Sequence, residues 1–401
     1  MPRTLQTWLR PEPVARAACR GCVLAVFALA TRSRAVEVYR GDNASVDVKV
    51  RVQLRAQLSA VAGPSAPADD PQVLATVGTA RVAFGGYVHD PQFAYALQLA
   101  LAERDYRDGA RSPVYDAFFT WRPVGALELR VGQFFVPFDR LRTVREFALQ
   151  LAERPRPVAE LTLDRDVGVA LAFPKLFGEG SPLTARLGAF GGGGMGAVAP
   201  RAVGGLLVAR VELRPLGELD DDEEGDLVRR DAPALAVGVG VAKVWGSSRL
   251  RSTSGPAFIG GTVDQRHLAA DLIAKWRGGY FAAEILSKRA DADGIDSIAA
   301  DGAPRREATR SAYGWVAQGS YLFGVPVELV GRLARLVPYR GTDPVLVAEL
   351  DARGQELAFG VNHYMNGHKL KLQATYLVRT RPDFSFVAAE HGAFFLLDAS
   401  L

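Results

Sequence analysis

Residues 46–58 alternate apolar and polar side chains without a slip, Val-Asp-Val-Lys-Val-Arg-Val-Gln-Leu-Arg-Ala-Gln-Leu. On an extended backbone, successive side chains point to opposite faces. This run therefore sets Val46, Val48, Val50 and Val52 against Asp47, Lys49, Arg51, Gln53 and Arg55. The period recurs where Glu128 and Arg130 alternate with Leu127, Leu129 and Val131. It recurs again where Lys369, Lys371, Gln373 and Thr375 alternate with Leu370, Leu372, Ala374 and Tyr376. Long helical periods are absent, and glycine and proline fall between the runs. The pattern predicts an all-β chain of about sixteen strands: 46–58, 75–88, 92–103, 114–122, 126–135, 165–173, 183–190, 203–214, 232–245, 264–277, 280–289, 311–322, 327–337, 354–365, 368–379 and 391–401.

The connections carry a second signal. Short ones (His89-Asp90-Pro91, Pro123-Val124-Gly125, Gly278-Gly279, Phe323 to Pro326, and the tight-turn pair Asn366-Gly367) alternate with long ones at 59–74, 104–113, 136–164, 191–202, 246–263, 290–310, 338–353 and 380–390. All long loops then emerge at one end of an up-and-down antiparallel sheet. Two segments break the rule at the short-turn end, 174–182 and the acidic 215–231. An open sheet of this size leaves two unpaired edges. Closing it removes them, and lipid demands that every backbone group be paired. The expectation is a closed transmembrane β-barrel with an even strand count and short turns on one side. Aromatics near the short turns (Trp121, Phe173, Trp276, Tyr280, Tyr321, Phe323, Tyr364) fit an interfacial girdle. A secreted sandwich also alternates, with its apolar face inward, so a soluble β protein remains the competing fold.

Charge looks basic at first, with 48 Lys/Arg against 44 Asp/Glu. Residues 1–35 read as a secretory signal. Arg3, Arg10, Arg16 and Arg20 precede the apolar core Cys22 to Ala30, and Ser33-Arg34-Ala35 precedes Val36 as a cleavage site. The leader takes six basic residues, one acid and both cysteines with it. The 36–401 barrel is left with 42 basic and 43 acidic groups, a net of −1. The excess that suggests a nucleic-acid partner thus belongs to the leader, and the expected localisation is the Gram-negative outer membrane.

Leu129-Arg130-Val131-Gly132-Gln133-Phe134-Phe135-Val136-Pro137-Phe138 is followed, past the long connection, by Asp164-Arg165-Asp166-Val167-Gly168. This pair of segments resembles the phosphate-selective porin O and P family. Ala80-Arg81-Val82-Ala83-Phe84-Gly85, Gly360-Val361-Asn362-His363-Tyr364 and Leu370-Lys371-Leu372-Gln373 resemble further segments of it. Thr79 stands where that family has an arginine, only seven lysines are present, and the last residue is Leu401. The resemblance implies a sixteen-stranded, usually trimeric pore favouring anions such as phosphate or polyphosphate, with a loop folded inward. It adds Arg165 to the candidate contacts.

A pore selects ions by the sign of its lining. On the clearly alternating strands the polar face carries Lys49, Arg51, Arg55, Arg81, Arg130, Arg210, Arg214, Lys275, Arg277, Lys288, Arg332, Lys369 and Lys371. Against these 13 stand 6 acids: Asp47, Glu128, Glu212, Asp271, Glu284 and Glu328. Basic groups facing lipid would cost about 2–4 kcal/mol each near the midplane, so they are expected in the lumen. Segment 136–164 is the third long loop and the candidate constriction, with a short helix expected over 147–153. Its Arg140, Arg142 and Arg145, with Arg165 and the ladder Lys49, Arg51, Arg55, Arg81, Arg130, Lys369 and Lys371, are the candidate anion contacts.

The five histidines show no metal-ligand spacing, and His363 and His368 are expected at the surface of the turn they flank. Gly191 to Gly196 lacks the strand-to-helix context of a phosphate cradle, and Gly238 and Gly240 are expected as small lumen residues. Asp220 to Glu224 is expected in a solvated turn. No nucleophilic triad or cofactor motif is present, and no metal is implied. The sequence therefore predicts an outer-membrane porin in the lipid bilayer, a passive anion channel rather than an enzyme, and the family resemblance implies a homotrimer. A non-conducting structural or adhesin-like barrel is the second possibility.

Overall fold

The computed structural model describes residues 36–61, 71–109, 112–178, 180–195, 204–219, 222–299 and 301–400. The expected leader, 1–35, lies outside the described residues. Sixteen antiparallel strands form the wall. The first eight are β1 (Ser45–Val61), β2 (Gln72–Val88), β3 (Asp90–Ala100), β4 (Val114–Val124), β5 (Leu127–Phe135), β6 (Arg165–Phe173), β7 (Leu183–Phe190) and β8 (Gly205–Leu213). The second eight are β9 (Ala234–Ser247), β10 (Val263–Trp276), β11 (Gly279–Ala290), β12 (Ala312–Leu322), β13 (Val327–Pro338), β14 (Gln355–Asn366), β15 (Leu370–Thr380) and β16 (Glu390–Ser400).

Each strand pairs with the next. β16 closes the barrel on β1, from Arg51↔Ser400 to Val61↔Glu390. A short strand, Val36–Arg40, pairs with residues 45–48 of β1 and covers the edge beyond the end of β16. Two small hairpins, Arg249–Arg251 with Ser254–Ala257 and Gly294–Ile298 with Pro304–Ala308, decorate the long-loop end.

The faces are inverted relative to a soluble protein. On β1, Val52 and Leu54 are exposed (39% and 45%) while Arg51, Gln53 and Arg55 are buried. Val131, Val169, Leu207, Val241, Ile285, Phe359 and Phe395 continue the exposed apolar belt. A belt of that extent cannot face water in a stable monomer, which removes the inward-apolar sandwich. The girdle is only part of what the aromatics predict. Trp121, Trp276, Tyr321 and Phe323 are exposed near the short turns, but Tyr280 and Tyr364 are buried in the lumen. They sit at the inward parity of their strands, one residue out of step with outward Phe281 and Val361.

Among the described residues, three segments occupy the lumen. The third long loop, 136–164, folds inward, carrying α1 (Arg140–Thr143) and α2 (Arg156–Leu161). The expected helix over 147–153 is not formed. Only Glu146–Ala148 makes a 3₁₀ turn, and Gln150 and Ala152 run irregularly, their N–H groups donating to Glu224 of the 215–231 connection and to Thr375 of the wall. The loop's Val136, Phe138, Leu141, Val158, Leu161 and Leu163 are buried against Ala236, Val244, Ala269, Ile273, Leu286 and Leu336 of the wall. Each such aliphatic or aromatic burial contributes roughly 1.5–3 kcal/mol. Gly240 permits the approach, since a Cβ there would lie 2.0 Å from the Phe138 carbonyl oxygen. A third helix, α3 (Pro344–Arg353), lies in the loop after β13 and is capped by Asp343, whose side chain accepts from the Val345 N–H.

The second lumenal segment is 248–262 at the long-loop end. Arg249 donates to the Gly193 carbonyl, and the Thr253 hydroxyl accepts from the Asp164 N–H at 2.7 Å. The third comes from the opposite end and corrects the sequence expectation for 215–231. This connection is solvated only in part, and Asp220 and Asp221 lie outside the described residues. Leu219, Glu224 and Asp226 are buried, and the Glu224 N–H donates to the Ala148 carbonyl at 3.2 Å. His368 is likewise not at the surface, because this segment covers it: its Nε2 lies 3.2 Å from the Glu224 carbonyl.

Candidate functional site: a cation-lined channel cavity

The lumen divides into two halves. Along β8 to β15 the third loop is sealed to the wall by inward side chains that satisfy its backbone. Lys371 Nζ donates to the Leu149 carbonyl at 2.6 Å, and Lys288 Nζ donates to that of Glu160 at 3.2 Å. Arg332 donates to that of Glu153 at 2.8 Å, and Asn362 to that of Gln150 at 3.0 Å. Glu284 accepts from the N–H groups of Arg140 and Leu141 at 3.2 and 3.0 Å. The Glu328 carboxylate accepts from Gln150, Ser320, Asn362 and Tyr364, the last at 2.5 Å. An irregular segment buried in a barrel must find partners for its peptide groups, and here the wall supplies them.

Between the third loop and β1 to β7 a cavity of about 1610 Å³ remains. Its lining runs from Arg104, Arg249 and Thr253 at the long-loop end to Asp47, Asn366 and Ser400 at the short-turn end. Fifteen basic and eleven acidic residues line it among those described. Aromatics lie among the cations. Arg165 is held between the rings of Tyr115 and Phe135 at 3.7 and 3.6 Å, and Arg130 packs on Phe118 at 4.7 Å.

Nine of the eleven sequence-nominated contacts reach this cavity: Lys49, Arg51, Arg81, Arg130, Arg140, Arg142, Arg145, Arg165 and Lys369. Arg55 and Lys371 do not. Arg55 pairs with Glu153 behind the loop, and Lys371 is fully buried on the Leu149 carbonyl. The parity of both is right, but the loop covers them. The nine also differ among themselves. Arg140 is buried with Asp271 at 2.7 Å, Arg51 meets Asp398 at 2.5 Å, and Arg165 meets Asp116 at 2.7 Å. Arg81 bridges Asp105 and Glu146 at 3.0 and 2.7 Å, and Arg142 pairs with Asp164. Arg130 is one-third exposed beside Glu128. Lys49 is exposed and carries no ion pair among the described residues. Arg145 is 57% exposed, with Asp222 3.7 Å away. Arg277, read as lumenal, sits instead in the short turn after β10 against Trp276.

Two loop groups show the field inside the cavity. Burial opposes the charge on Glu146, but Arg81, with Arg51, Arg104 and Arg154, outweighs burial and holds its carboxyl down to about 2. Burial, reinforced by neighbouring Arg142, pulls Arg154 down to about 10, which leaves it charged at neutral pH. Arg104 and Arg186 also line the cavity. Arg186 was legible, since it alternates with Ala185 and Leu187 on β7. Arg104 lies just past a strand end, where parity gives no guidance.

No protein-family model and no curated protein matches this chain. Solved structures do. The outer-membrane channel DcaP of Acinetobacter baumannii is similar over 91% of this chain and 99% of its own, at 12% identity and a TM-score of 0.55. OmpF of Salmonella typhi, solved with daunomycin, matches over 91% of this chain and all of its own, at 11% identity and 0.56. An anion-selective porin from Comamonas acidovorans matches over 89% and 100%, at 11% identity and 0.52. At such identities the likeness is one of fold. The chain has the fold of a sixteen-strand, porin-like β-barrel.

Proposed function

We propose that this chain is an outer-membrane diffusion channel with a preference for anions, phosphate-type solutes among them. The observation that carries the reading is the cavity, lined by residues from both ends of the barrel and by more cations than acids, in an expected mature chain whose net charge is −1. Nothing reacts. A solute enters at the long-loop end, exchanges water for guanidinium and ammonium contacts, and leaves at the short-turn end. Lys49, Arg130, Arg142, Arg145, Arg186 and Lys369 are the side chains it would meet, and guanidinium groups hold phosphate oxygens in pairs. Arg140 and Arg165, fixed by Asp271 and Asp116, set the shape and potential of the passage rather than following the solute.

The anion-selective Comamonas porin is a distant neighbour in fold and supports the reading only to that extent. Porin-type trimers are the assembly the fold suggests. The test is planar-bilayer recording in chloride, phosphate and pyrophosphate in turn. Anion-positive reversal potentials with block of chloride current by phosphate are expected. Cation preference would sink the reading, and absence of conductance would favour a non-conducting structural barrel, for which the half-filled lumen is the one favourable observation.

A further inference from the structure

The connection between β8 and β9 enters the barrel from the short-turn end, against the rule that such connections hug the rim. Its anchoring is internal and specific. The Glu224 carboxylate accepts from the Gln150 N–H at 2.7 Å and from Gln318 Nε2 at 2.9 Å. Lys275 Nζ donates to the Glu223 carbonyl at 2.7 Å. Asp226 accepts from the N–H groups of Gly278 at 2.8 Å and Arg230 at 3.0 Å. These bonds tie the segment to the wall on β10 and β12, to the turn after β10, and to the deepest part of the third loop. A tongue held in this way has a defined tip.

That tip is Asp222 and Glu223, and both line the cavity. Among the described residues they are the acids that the tongue brings to an otherwise cation-rich passage. They lie near its short-turn end, where Asn366, Gly367 and Lys369 complete the lining. Asp222 is two-thirds exposed, and its carboxylate is 3.7 Å from the half-exposed Arg145 guanidinium of the third loop. A water-exposed pair at that distance is weak, so a passing anion competes with it. A fixed carboxylate within a Debye length of the path also subtracts from the potential an anion feels.

We propose that Asp222 and Glu223 are selectivity-determining residues of the channel. The tongue's anchored carboxylate, Glu224, fixes their position, and their charges temper the anion preference set by the arginines and compete with solute for Arg145. The inference rests on the channel reading above.

The test is Asp222→Asn with Glu223→Gln, leaving Glu224 intact, recorded in bilayers at low salt. The expected result is an anion-to-cation permeability ratio raised by about threefold and tighter phosphate block, with both effects fading at molar salt. Arg145→Gln is expected to move the ratio the opposite way. Both cysteines lie in the expected leader, so Asp222→Cys also gives a single reactive thiol. A cationic methanethiosulfonate added to that variant during recording should raise the anion ratio stepwise. A conducting wild type whose ratio is unmoved by the double substitution, or an Asp222→Cys channel inert to the reagent, overturns this inference alone. A wild type that does not conduct overturns the channel reading and this inference with it.

Discussion

Lys371 and Lys49 sit on neighbouring parts of one barrel, both at inward parity, and do opposite things. Lys371 is fully buried and directs its charge at the Leu149 carbonyl of the third loop. Lys49 faces the open cavity with no ion pair among the described residues. The same division runs round the lumen. On β8 to β15 most inward polar groups are mortar for an inserted loop, while on β1 to β7 most of them line the open cavity. An inward cation is therefore not by itself a contact for ions. What lies opposite it decides.

The most disruptive way to break that comparison is to unseat the loop. Gly240→Leu places a side chain where the Phe138 carbonyl now sits, 2.0 Å from the ideal Cβ. Phe138→Ala removes the ring from the same contact at a cost of about 3–5 kcal/mol. Both are expected to merge the two halves, raising single-channel conductance severalfold with noisier traces. Unchanged conductance in both would mean the loop is not the barrier.

A milder pair exchanges the same residue on each side. Lys371→Met leaves the Leu149 carbonyl with only the long 3.5 Å bond from Gln373, at about 1–3 kcal/mol, and should lower the temperature of the heat-modified gel shift while leaving ion selectivity alone. Lys49→Met should do the reverse, reducing the anion-to-cation ratio roughly twofold at unchanged thermal stability. If the two substitutions gave the same phenotype, the division of the lumen would be wrong.

The smallest effect concerns pH. The Glu146 carboxyl, held down to about 2, bridges the third loop to Arg81 across the boundary between the halves. A depressed carboxylate contributes stability above its unfolded value of about 4.3, and the contribution is lost as pH falls through the folded value. Conductance steps should therefore not change through loss of this pair between about pH 8 and 4, and should become unsteady only below about pH 3. Unsteadiness at about pH 5 that Glu146→Gln abolishes would show the pair to be weaker than its geometry.

The strands were legible because their signal is local. All sixteen expected runs are found, with ends displaced by about three residues at most, as for 75–88 against Gln72–Val88. The near-continuous apolar run Ala234 to Val241 could also have been read further. A strand apolar on both faces has two apolar faces to account for, and here the inner one packs on Phe138 while Val239 and Val241 join the exposed belt outside. The inward loop was legible from its length and its arginines. Its irregular path was not, because residues 149–152 bond to wall groups more than 150 positions away. The tongue was misread for a plain reason. Asp222, Glu223 and Glu224 have the composition of a solvated turn, and the groups that offset the cost of burying the Glu224 carboxylate, Gln318 Nε2 and the Gln150 N–H, are distant in sequence.

The sequence by itself determined an all-β chain, its strand count, the parity that sends arginine one way and valine the other, and the end from which the long loops emerge. These follow from backbone geometry, where neighbours along the chain point to opposite faces whatever lies beyond. Only the tertiary structure decided that the apolar face turns outward, that two of eleven nominated cations are sealed behind a loop, and that an acidic turn reaches inside. Those outcomes depend on which distant segment satisfies each buried peptide group and charge, and alternation along a strand carries no record of that.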